Sequence, residues 1–131
     1  MGNWQAYVGT SLVGTGHVSQ GAIFSLDGQE WASSPDLHIT QDEANRIIAA
    51  LNGETKAKDQ LFSKGLFLAG QRYVMARCED RTIYGRTGRG GAAIAKSKQA
   101  VIIGIHNEEM MAGNASSTVE SLADYLIDQG H

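Results

Sequence analysis

At 131 residues, with 42% hydrophobic and 19% charged residues, the chain has the size and composition of one globular domain spanning residues 1–131. Its longest apolar run, AVIIGI (100–105), is too short to cross a membrane, and the single Cys78 excludes an internal disulfide framework and fits a reducing compartment. The net charge of −3 conceals a division: residues 64–98 hold eight of the eleven cations and only two of the fourteen acids, a local +6 against −9 elsewhere. Such a block is either a contact face for an acidic partner or a set of solvated strand faces. It has no interleaved aromatics and no nucleic-acid motif, so nucleic acid is not an expected partner. MGNWQA has neither the basic-then-apolar order of a signal peptide nor the Ser/Thr of a myristoylation site.

In chain order, NWQAYVGTSL sets Trp4, Tyr7, Val8, Ser11 and Leu12 on one face of a short helix. GAIFSLDGQEWAS reads as two strands around an Asp27-Gly28 turn. ITQDEANRIIAALNG is a helix with a Thr40/Glu43 capping box, an apolar side of Ile47, Ile48 and Leu51, and a stop at Gly53. Strands are expected near 65–69, 72–78, 81–86, 92–96 and 100–105. Their short connections leave no room for crossover helices, so they must be antiparallel neighbours. SSTVESLADYLIDQGH closes the chain as a helix, with a second expected capping box at Ser117/Glu120 and an apolar face of Val119, Leu122, Ala123, Leu126 and Ile127. A meander bracketed by terminal helices is an α+β arrangement.

Catalytic constellations are sparse. His17, His38, His106 and His131 are scattered with no metal-ligand spacing, and neither a metal nor a cofactor is expected. GRTGRGG (85–91) lacks the spacing of a phosphate loop and reads as a glycine-rich hairpin turn. Cys78 sits in the apolar run YVMARC as a small, semi-buried hydrophobe. No enzyme reading gains support. Trp4, Tyr7, Trp31 and Tyr125 are different, since four of nine aromatics fall in three segments that meet if the termini are adjacent. They are either core or a partly exposed groove. The ligand suited to a Trp/Tyr groove is a polyproline II segment, whose rings lie on indole and phenol faces while NH and OH groups donate to its carbonyls.

Taken together, NWQAYV, GAIFSLDGQEWAS, GLFLAGQRYVMAR, IYGRTGRGG, QAVIIGI and LADYLIDQG resemble the profilin family over essentially the whole chain, closest to its compact plant, fungal and protist members. The resemblance implies a central antiparallel sheet with the N- and C-terminal helices on one face and shorter helices on the other. It also implies a cytoplasmic, cytoskeleton-associated adaptor of monomeric actin and of proline-rich proteins such as formins. By position, Trp4, Tyr7, Trp31 and Tyr125 would line the poly-proline groove. Arg72, Met75, Arg77, Arg86, Lys96, Gly113, Asn114 and Ser117 would contact actin, and Arg72, Arg86 and Arg89 would contact phosphoinositide membranes. The chain departs from the family pattern in ending at His131, where an apolar or aromatic residue is usual. The competing reading is a small α/β sensory or trafficking-scaffold module that does not bind actin.

Overall fold

β-branched and alanine-rich runs separated by tight glycine turns build a seven-stranded antiparallel sheet in the computed structural model, which describes residues 4–79, 81–88 and 90–131. The strands are β1 (Gln20–Ser25), β2 (Glu30–Ser33), β3 (Leu66–Leu68), β4 (Gln71–Cys78), β5 (Thr82–Thr87), β6 (Gly90–Lys96) and β7 (Ala100–His106), in the spatial order β2-β1-β7-β6-β5-β4-β3. The five later strands follow one another as neighbours, as their short connections require. The first hairpin joins this meander through β1 on β7, with Gln20 opposite Ile105 and Ser25 opposite Ala100. Its turn falls at Asp27-Gly28. Gly28 has φ +90°, and a Cβ there would lie 2.1 Å from the Asn45 Oδ1.

Each face of the sheet carries its own core. On one face Phe24, Ile83, Ile94, Val101 and Ile103 meet Ile47, Ile48 and Leu51 of α2 (Gln41–Leu51) and Leu61 of α3 (Thr55–Lys64). Each fully buried large side chain here contributes roughly 1.5–3 kcal/mol. The expected capping box opens α2: Glu43 N–H donates to Thr40 Oγ1 at 3.1 Å, and Thr40 N–H donates to Glu43 Oε1 at 3.0 Å. The same carboxylate accepts from the amides of Ala69 and Gly70 at 2.8 and 2.9 Å, so one acid both caps α2 and fastens the β3–β4 turn.

On the opposite face Ile23, Ala93, Ala95, Ala100 and Ile102 meet Val8 and Leu12 of the N-terminal helical segment. They also meet Ala115, Val119, Leu122, Ala123 and Leu126 of α4 (Ala112–Asp128). Small sheet residues let α4 approach closely; a Cβ on Gly104 would stand 2.5 Å from Val119 Cγ2. The N-terminal segment is α1 (Trp4–Ala6), a π-helical stretch Tyr7–Leu12 and a 3₁₀ turn Val13–Thr15.

One helix goes beyond the sequence reading, and one local reading needs correction. The α3 helix was not legible from residue pattern: TKAKDQLFSK is largely polar and fully buries only Leu61. α4 begins at Ala112 with Met111 as its cap, so Ser117 lies within the helix and forms no capping box with Glu120. The earlier start goes with docking, because Ala115 in the first turn is fully buried against the sheet.

Candidate functional site: an aromatic groove and a cationic cleft on either flank of α4

The four aromatic residues singled out by the sequence come from α1, the π-helical stretch, β2 and α4, and they converge. Trp4 lies against Trp31 with ring centroids 4.7 Å apart and planes 30° apart. Tyr7 meets Trp4 edge-on at 5.7 Å and Tyr125 at 6.2 Å. Local structure holds the rings in place: Val8 and Leu12 plug the core beneath Tyr7, and Gln5 Nε2 donates to the Ser33 carbonyl at 2.9 Å, tying α1 to β2. Trp4, Tyr7 and Trp31 rest against the core on one side and remain half-exposed on the other, and Tyr125 is 49% exposed. Both readings left open by the sequence therefore hold at once: the rings pack the terminal helices and present stacking surface. Burial, and then the neighbouring Tyr125, raise the Tyr7 phenol pKa, so it stays protonated as a donor at neutral pH.

His131 completes the cluster. Its ring stands edge-on to Trp4 at 5.7 Å, and its backbone is pinned: His131 N–H donates to Leu126 O at 2.7 Å, and Ser97 Oγ donates to His131 O at 3.0 Å. Residue pattern gave no role to this position; the chain end is simply carried back to the β6–β7 turn. From the rings a groove of ≈ 610 Å³ continues between the N-terminal segment and α4.

A second depression lies on the other flank of α4, floored by β4–β6 and closed by Ala112, Gly113 and Ser116. A β-bulge between Met75 and Arg77 decides what it displays. The irregularity brings Arg77 opposite Tyr84, with its guanidinium carbon 5.7 Å from the ring centroid. Arg86 lines the same cleft, and no ion pair engages it among the described residues. Tyr84 donates to Glu120, joining β5 to α4; burial and then that bond raise its pKa. His106 is 6% exposed and its Nδ1 has no partner among the described residues. Burial, followed by the Arg86 charge, lowers its pKa, keeping the imidazole neutral at neutral pH.

The remaining expected residues scatter. Met75 is only 8% exposed and packs in the core with Tyr73 on the α2/α3 face, so its side chain lies beneath the surface where an actin contact was expected. Alternation alone would keep it on the face of Arg77; the bulge between them separates the two. Arg72 Nε donates to Lys64 O at 2.8 Å, and Lys96 Nζ to Leu51 O at 3.3 Å at the end of α2, on the far side of the sheet. Gly113 borders the cleft, whereas Asn114 and Ser117 line the groove. Arg89 lies outside the described residues.

The profilin family model matches residues 2–131. The chain belongs to the profilin family. It is 42% identical to profilin-1A of Acanthamoeba castellanii over 98% of both chains. Its structure is similar to that of Acanthamoeba castellanii profilin IB, with a TM-score of 0.93 at 43% identity, covering 98% of this chain and all of that one. Mouse profilin IIa, solved with a double repeat from the FH1 domain of mDia1, shares the profilin fold at a TM-score of 0.79 and 20% identity, over 99% of this chain and all of that one. The expected profilin architecture, terminal helices on one sheet face and shorter helices on the other, is the one observed.

Proposed function

We propose that this chain is a non-catalytic adaptor of the cytoplasmic actin cytoskeleton, holding monomeric actin on one surface and a proline-rich segment, such as those of formins, on another. The observation that carries the reading is the convergence of Trp4, Tyr7, Trp31 and Tyr125 into one half-exposed stack. Flat indole and phenol faces match proline rings, and a preformed polyproline II strand loses little entropy on docking. The actin surface is the cleft of Arg77, Arg86 and Gly113 on the other flank of α4. Arg86, which no ion pair engages among the described residues, and Arg77, held 3.6 Å from Glu79 at the rim, suit acidic partner surface and steer encounter. An inositol phosphate would be met by Arg86 and by Arg72, whose terminal N–H groups make no hydrogen bond among the described residues beside its Nε bond to Lys64 O.

Two assays test this. Decaproline should quench or shift the fluorescence of Trp4 and Trp31 saturably. The chain should also slow polymerisation of monomeric actin in a stoichiometric way that weakens with salt. A protein that binds neither ligand would favour the scaffold-module reading.

A further inference from the structure

The groove is longer than its aromatic end. On the N-terminal wall Ser11 follows Tyr7 by four residues; on α4, Ser117 and Ser121 precede Tyr125 at the same spacing. From Tyr125 to Ser117 the helix rises roughly 12 Å at about 1.5 Å per residue. That span matches about four residues of polyproline II at ~3.1 Å each.

We propose that this extension is a flanking-residue subsite, which reads the residues beside a proline stretch and takes neutral hydrogen-bonding side chains: serine, threonine, asparagine or glutamine. It rests on the proline-groove reading above and adds the sequence preference of that ligand. Two hydroxyls in the wall are already committed, Thr15 to Leu12 O at 2.7 Å and Thr118 to Asn114 O at 2.8 Å. Ser11, Asn114, Ser117 and Ser121 make no side-chain hydrogen bond to a described residue, although they line a concave surface. No carboxylate, lysine or arginine lines the groove among the described residues. His17 is the one imidazole among the described lining residues, so a charged ligand side chain would lose water with no carboxylate, lysine or arginine to answer it. An apolar one would cover hydroxyl and amide groups and leave them unpaired. A neutral side chain that both donates and accepts meets neither penalty.

The test is a tryptophan-fluorescence titration with decaproline, and with decaproline extended at one end or the other by Ser-Thr-Ser-Asn, by four leucines or by four glutamates. The polar extension at one end should tighten binding about five- to tenfold, the yield of one or two net hydrogen bonds. The leucine and glutamate extensions should give no gain. In the double variant Ser117→Leu/Ser121→Leu, two exposed positions, the gain over plain decaproline measured on that same variant should vanish. Binding of plain decaproline also reports that the variant is folded. No gain at either end, an equal gain from leucine, or a gain that survives the double substitution overturns the subsite. Failure of plain decaproline to bind the unmodified chain overturns the proline-groove reading itself.

Discussion

The two faces of the sheet are built from different materials. The α2/α3 face is sealed with large side chains: Phe24, Ile47, Leu66, Ile83 and Ile103 are all at most 1% exposed. The terminal-helix face uses alanine and glycine, with Ala93, Ala95, Ala100, Gly104, Ala115 and Ala123 bringing α4 close to the strands. Its large rings stand at the margin, where packing is incomplete. One face thus concentrates stability, and the other carries the surface proposed for recognition. Aromatic area that would add most to folding if fully covered is left half-open, which is the arrangement expected of a docking surface and not of a core.

Perturbing the sealed face should separate the two roles most sharply. Ile47→Ala should cost about 2–5 kcal/mol of stability in chemical denaturation and leave the affinity of the folded protein for decaproline unchanged. A marked loss of affinity would mean that the faces are coupled. Gly104→Ala acts on the other face. Its Cβ meets Val119, which is fully buried and has no room to yield, so the cost is about 1–3 kcal/mol. Because α4 must shift, decaproline binding should weaken as well, and calorimetry beside a fluorescence titration would detect both.

His106 tests the sheet side of α4. Its folded pKa lies below the unfolded value of 6.5, so above that value it contributes no pH dependence. As pH falls through 6.5 the unfolded chain gains a proton that the folded one resists, and stability drops by at most about 1.4 kcal/mol per pH unit. Melting temperatures between pH 7 and pH 5 should fall more steeply for the natural chain than for His106→Gln. The smallest effect is Tyr125→Phe, which keeps the stacking area and removes one hydroxyl. It should weaken decaproline binding by about 0.5–1.5 kcal/mol, measured by titration.

Much of this was legible in the residues. The Thr40/Glu43 box and the Asp27-Gly28 turn are local, so a few side chains determine them. The meander followed from connection lengths too short for anything else. What was hidden depends on distant packing. α3 is held by Leu61 against the sheet and has little apolar face of its own to detect. The first turn of α4 contains Gly113 and Asn114 and forms because Ala115 docks. In β4, simple alternation sets Met75 and Arg77 on one face; the bulge, invisible in sequence, parts them. The aromatic groove was legible because its four rings are chemically conspicuous. Its hydroxyl-lined continuation was not: Ser11, Ser117 and Ser121 follow helical spacing, but polar residues at that spacing are what any solvated helix face shows.

The central claim is that aromatic groove and cationic cleft, on opposite flanks of one helix, bind different partners. The most direct measurement is a crossed pair of titrations, decaproline and monomeric actin against Trp4→Ala and Arg86→Glu, with circular dichroism confirming that each variant is folded. Trp4→Ala should lose about 2–4 kcal/mol of decaproline affinity and retain actin binding. Arg86→Glu should lose actin binding by at least about tenfold, as expected for reversing a charge that faces an acidic surface, and retain decaproline affinity. Folded variants that lose both ligands together, or neither, would contradict the account.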